Sequence, residues 1–184
     1  MTRRALLLMA TVAACASAAA RDARASESMP DAAAPLVGHL ACGGATLTAR
    51  TLFREVADHD RQVLSQTITL VPPGATTGSP LKLDVHPLRQ PFLRDTPVLD
   101  ASVTGWACVT SADHKSYVYL SLTCTESPLR PACAGPTREW TRLYDLRGRA
   151  LDAVYPRDAG PREAALTRRL KLDLDSVSMS DPLE

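Results

Sequence analysis

Two β-prone runs, Val98 to Thr110 and Ser116 to Thr125, are separated by only the link Ser111-Ala112-Asp113-His114-Lys115. So short a link between runs rich in Val, Thr, Tyr and Leu predicts a long antiparallel hairpin. A period of two places Trp106, Cys108 and Thr110 on one face of the first run, with Val103, Ala107 and Val109 on the other. In the return run Val118, Leu120, Leu122 and Cys124 alternate with Tyr117, Tyr119, Ser121 and Thr123. Apolar side chains on both faces put this hairpin in the middle of a sheet or sandwich, covered on each side.

Other segments repeat the β signal. Thr46 to Phe53, Gln66 to Val71 and Leu81 to Val85 read as short strands, the last two joined by the turn-rich stretch Pro72 to Pro80. His86 to Pro97 carries three prolines and reads as an irregular surface loop. Glu139 to Tyr144 and Arg149 to Tyr155 form a second predicted hairpin across Asp145-Leu146-Arg147-Gly148, with Gly148 free to take a positive φ. Gly160 and Pro161 open a short helix through Leu170, after which Leu170, Leu172 and Leu174 fit either helix or a final strand. The fold class is therefore mainly β: a small antiparallel β-sandwich or partly closed barrel with one short C-terminal helix.

The N-terminal residues bear on compartment. Arg3 and Arg4 precede an apolar run from Ala5 to Ala14, followed by small residues to Ala25. That run is half the roughly 20 residues a membrane span needs, and it matches the core of a cleavable export signal, with cleavage expected after Ala18, Ala20 or Ala25. Val12-Ala13-Ala14-Cys15 also resembles the lipobox of bacterial lipoproteins, which implies Cys15 as a candidate lipidation site and a leader of residues 1–14. The expected organisation is a signal peptide over 1–25, a flexible lead-in over 26–35, a single β-rich domain over 36–178 and a tail over 179–184. The expected location is the periplasm, or the outer membrane facing it if Cys15 is acylated.

Beyond the leader stand four cysteines, Cys42, Cys108, Cys124 and Cys133. An even number in an exported chain of this size reads as two disulfides. The short, proline-bearing stretch from Thr125 to Ala132 favours Cys124 with Cys133, leaving Cys42 with Cys108. No C-x-x-C pair is present, which argues against zinc and against a thioredoxin-like redox site. Net charge is +1, and the basic residues are almost all Arg, as in a GC-rich bacterial chain, so nothing points to nucleic acid or an anionic membrane surface.

Chemistry-bearing residues are scattered. His39 with Cys42, Asp58-His59-Asp60, Asp84 with His86, and Asp113-His114 each place a histidine beside a ligand-type side chain, but adjacent Asp and His in turns are ordinarily solvated polar residues. No metal and no cofactor is expected. No G-x-S-x-G elbow occurs. The loop Cys124-Thr125-Glu126-Ser127-Pro128 resembles, over those residues, the reactive loop of Bowman-Birk protease inhibitors, which implies Glu126 in a protease pocket and Ser127 after the scissile bond. This loop is one residue longer, its prolines fall differently, and Glu replaces the basic or large apolar residue usual there. A stapled turn between two hairpins, with Leu129 and Arg130 at its tip, is the simpler expectation.

Tyr117, Tyr119 and Trp140 join Leu129 and Arg130 as the candidate binding surface, with core packing of the aromatics as the competing expectation. Arg130, Arg138, Arg142, Arg147 and Arg149 read as a solvated face. The leading functional expectation is an exported, non-catalytic envelope protein that binds another protein, like an inhibitor or immunity protein. One alternative is a small periplasmic hydrolase using His86, Asp84 and a distant Ser or Glu; another is a structural envelope lipoprotein.

Overall fold

The computed structural model describes residues 34–55, 61–88, 98–124, 133, 138–152, 159–174 and 177–183. Among these the chain forms β1 (Leu36–Cys42), β2 (Ala45–Glu55), β3 (Arg61–Val71), β4 (Ser79–Pro80), β5 (Pro87–Leu88), β6 (Val98–Leu99), β7 (Ala101–Thr110), β8 (Ser116–Cys124), β9 (Glu139–Tyr144) and one helix, α1 (Ala159–Leu170). The fold is mainly β and the paired strands are antiparallel. One sheet has the order β1-β2-β3-β4, a second β7-β8-β9, and β5 with β6 makes a small ribbon.

The two larger sheets share one core, so this part of the chain is built as a sandwich. Ala45, Leu47, Ala49 and Thr51 alternate inward along β2, with Ile68 and Leu70 beside them on β3. Facing them are Ala101, Val103 and Trp106 of β7, Val118, Leu120 and Leu122 of β8, and Trp140 and Tyr144 of β9. The second sheet is also covered on its outer face. Ala107, Val109, Tyr117 and Leu143 pack there with Leu172, against Leu166 and Leu170 of α1 and Leu174, Val177 and Met179 beyond it. Apolar residues on both faces of the predicted 98–125 hairpin are thus accounted for: one face meets the first sheet, the other the C-terminal segment.

A polar tie joins the sheets through the core. Gln66 on β3 offers its carboxamide to β7 as one residue of a strand would: Val103 N–H donates to Oε1 at 2.7 Å, and Nε2 donates to the Val103 carbonyl at 3.0 Å. Nε2 also lies 3.1 Å from Oγ1 of the fully buried Thr51. Both main-chain groups of a buried residue are satisfied without a neighbouring strand.

Several expectations need correction. Val103 shares the inner face with Trp106, because the register shifts between Val103 and Gly105 and the bulge at Thr104 resets the alternation. Leu81 to Val85 forms no regular strand; β4 precedes it, and Leu81 N–H closes onto the Ile68 carbonyl at 2.7 Å. The predicted 86–97 loop contributes Pro87–Leu88 to the small ribbon. The second hairpin turns as expected, with Gly148 at φ 81 and its N–H bonded to the Asp145 carbonyl at 2.9 Å; among the described residues its return arm pairs through an isolated bridge from Ala150 to Tyr144 and through Leu151 N–H on the Leu143 carbonyl at 2.8 Å. Asp152 then turns its side chain onto the β9 edge, accepting Leu143 N–H at 3.0 Å, and residues 153–155 of the predicted arm lie outside the described residues.

The C-terminal segment is neither continued helix nor strand at first. Lys171 takes φ 54, and Leu172 N–H bonds back to the Thr167 carbonyl at 3.0 Å, closing α1. Farther on, Ser180 bridges to Trp106, and Pro182 is buried with its carbonyl against Gly38, where even a Cβ would lie 2.1 Å away. Residues 177–183 therefore cross from the outer face of the second sheet, around the edge of β7, to β1.

Candidate functional site

Both disulfides form as expected. Cys42 at the end of β1 bonds Cys108 in β7, with Cα atoms 5.1 Å apart, tying one sheet to the other. Cys124 at the end of β8 bonds Cys133, with Cα atoms 6.0 Å apart, and both are buried in the common core. Cys124 N–H also donates to the Arg138 carbonyl at 2.9 Å, so the chain returns beside its point of departure before entering β9. Leu129, Arg130, Glu126 and Ser127, on the stapled loop, lie outside the described residues, as do Cys15 and Asp58-His59-Asp60.

The predicted aromatic surface is divided between two interiors. Register pairs Val109 with Tyr117 and Ala107 with Tyr119, which turns both tyrosines toward α1 and the C-terminal segment. Tyr117 is buried there and Tyr119 half-buried. Trp140, paired with Leu122, points through the opposite face into the core between the sheets and is 4% exposed. The three aromatics do not meet. Arg142, expected on a solvated face, is buried: its Nε donates to Asp152 Oδ1 and its Nη2 to the Asp152 carbonyl, each at 3.0 Å. Desolvation raises the Asp152 carboxyl above its ordinary pKa despite the Leu143 N–H and the Arg142 charge. Burial likewise raises the Tyr144 phenol, whose O–H donates to the Lys82 carbonyl at 3.1 Å.

The strongest acid–base constellation joins His86 to carboxylates near and far in sequence. Asp100, fully buried in the break between β6 and β7, sets one oxygen 2.7 Å from His86 N–H and the other 3.4 Å from His86 Nδ1. Asp100 N–H donates to the His86 carbonyl at 2.8 Å, so the pair extends the β5–β6 ladder by one rung. His86 Nε2 faces Asp84 Oδ1 at 3.7 Å, and the imidazole is 58% exposed. A carboxylate at Nδ1 is the arrangement that orients a general base. Here, however, the group opposite Nε2 is a second carboxylate, which offers no hydroxyl or thiol to activate. Sequence reading paired Asp84 with His86; Asp100 was missed, for want of any local signal linking residues 14 apart.

The other described histidines, His39 and His114, have structural settings. His39 Nδ1 lies 3.2 Å from Thr48 Oγ1 across the β1–β2 pair, while Cys42 is consumed in its disulfide. His114 occupies the hairpin tip at φ 60, and neighbouring Asp113 pairs with Lys171 at 3.2 Å. Among the described residues no group of three or more ligand-type side chains is arranged to hold a metal ion. No helix among them is long and apolar enough to cross a membrane. Comparison of the chain with known protein families, curated proteins and solved structures returns no match.

Proposed function

We propose that this is an extracytoplasmic, non-catalytic protein of the bacterial periplasm that binds another protein, in the manner of an inhibitor or immunity protein. The observation that carries the reading is the pair of disulfides, one locking sheet to sheet and the other closing a loop at the end of β8. Such cross-links belong to oxidising compartments, and they hold a surface in its binding shape so that little ordering entropy is lost on association. The leader from Arg3 to Ala25 supports export, and acylation of Cys15 would tether the same domain to a membrane. The use of Asp100 on the His86 main chain supports a structural part for that cluster.

The test immobilises oxidised protein, residues 26–184, and challenges it with envelope and secreted fractions, with and without reductant. Retention of a single protein at defined stoichiometry, lost on reduction, is the expected result. Failure to retain any protein from either fraction would sink the reading. The hydrolase alternative keeps one specific observation in its favour, the Asp100–His86–Asp84 alignment. It predicts hydrolysis of ester or amide substrates that disappears in His86→Ala while the fold survives.

A further inference from the structure

Among the described residues, the outer edge of β7 is a strand edge covered only in part. Trp106 directs both main-chain groups away from β8: its N–H donates to the Ser180 carbonyl and its carbonyl accepts Ser180 N–H, each at 3.0 Å. Ala112 N–H, at the far end, donates to the Lys171 carbonyl at 3.1 Å. Residues of even number along this stretch therefore face outward, whereas Ser111 N–H turns inward to the Lys115 carbonyl at 2.9 Å. The bulge lies before Trp106, so the alternation runs unbroken to Thr110. By the same period Cys108 and Thr110 present their N–H and C=O groups outward, between the two positions the chain has already capped.

A cleft of about 380 Å³ opens at that place, lined by Leu40 of β1, residues 106–110 of β7, and Val177 and Ser178 of the C-terminal segment. This volume is within the range of ligand-binding clefts. The cleft exists because the segment that lies antiparallel to β7 at Ser180 turns away before reaching Cys108, where Val177 N–H bonds back to the Leu174 carbonyl at 3.3 Å.

We propose that this cleft receives an extended segment of the partner protein, which adds to the second sheet by main-chain pairing with Cys108 and Thr110. The proposal rests on the protein-binding reading above and supplies its site. The occupant is an extended segment because the edge already pairs with the chain's own Ser180, in an isolated antiparallel bridge. Half-buried Leu40 and Val177 line the cleft beside the polar Thr110, Asp173, Ser178 and Ser180, so main-chain pairing rather than an apolar pocket carries the recognition. The window is short. Two residues of strand advance about 7 Å, so three or four residues of the partner fill it.

The experiment uses the full oxidised chain and a blocked heptapeptide of alternating valine and threonine, with a second version N-methylated at alternate amides. Amide hydrogen exchange is followed residue by residue. Saturating heptapeptide is expected to slow exchange at Cys108 and Thr110 by about tenfold or more, while the N-methylated peptide leaves both unchanged. Thr110→Pro removes one outward N–H at an edge position that tolerates proline, and should weaken peptide binding about tenfold with near-UV circular dichroism unaltered. Slow exchange at both amides in the free protein, protection confined to another strand, or no protection at all would overturn the proposal. Those outcomes, with partner capture by the oxidised protein intact, would refute the β7 site alone; loss of capture would refute the broader reading.

Discussion

Replacing Gln66 by Leu tests whether the sandwich depends on a side chain standing in for a strand. The substitution keeps approximate volume while removing one acceptor and both amide N–H donors. Val103, 2% exposed, then loses the partners of its N–H and C=O, formerly at 2.7 and 3.0 Å, and Thr51 loses its contact at 3.1 Å. An unsatisfied buried polar group costs about 1–3 kcal/mol, and Gln66 is itself half-buried, so water relieves part of the loss. Taking the lower half of that range for each Val103 group gives about 2–4 kcal/mol, less a fraction for the apolar gain of Leu. Urea titration of the oxidised protein measures it, with the fluorescence of buried Trp106 and Trp140 as reporter. Gln66→Glu sharpens the test. It keeps the acceptor for Val103 N–H but sets a carboxylate oxygen against the Val103 carbonyl, which raises the folded-state pKa of the new group. Its stability relative to the parent should recover below the ordinary Glu value and fall as pH rises through the folded one. A Gln66→Leu variant within 0.5 kcal/mol of the parent, the usual range for a surface change, would refute the reasoning.

Three further outcomes follow from the same geometry. Removing the Cys42–Cys108 bond by paired Ala substitution should cost about 4 kcal/mol and removing Cys124–Cys133 about 3 kcal/mol, because their sequence separations are 66 and 9; denaturant midpoints give the order. Gly43→Ala should destabilise more than Gly74→Ala. Both glycines have positive φ, costing an alanine about 1 kcal/mol, but only at Gly43 would a Cβ meet Ser116 at 2.5 Å, so equal midpoints would contradict the packing of that turn. Asp152→Asn removes a carboxyl whose folded pKa is raised by burial, a contribution present below the unfolded pKa and lost as pH rises through the folded value. The parent's advantage over Asp152→Asn should therefore grow from neutral to acid pH, as read by urea midpoints at several pH values.

What the sequence made legible was whatever short-range pattern controls. The 98–125 hairpin, the Gly148 turn and the β-dominated class follow from alternation and turn residues, and both cysteine pairings followed from count and loop length. β1 was not read as a strand because Leu36–Cys42 holds Gly38 and His39 and lacks a run of β-branched residues. Its partner strand organises it, across Gly43 and Gly44 at φ 55 and 82, and that Gly-Gly pair was the available signal. Facing was harder than pairing. A single bulge at Thr104 moved Val103 to the inner face, and no sequence pattern announced it. Tyr117 and Trp140 vanish from the surface because the sheet is covered on both sides, which depends on where α1 and the final residues return. The His86–Asp100 contact and the Gln66 bridge are long-range pairings of the same kind.

The most direct test of the account is site-specific photo-crosslinking in the intact envelope of the native host. A photoreactive residue is placed at exposed Thr110 beside the β7 edge, and in a separate variant at exposed Thr67 on the other sheet. One discrete adduct with a second protein from Thr110, none from Thr67, and loss of the adduct when Cys42 and Cys108 are both replaced is the predicted result. No protein adduct from Thr110, or the same adducts from both positions, would contradict it.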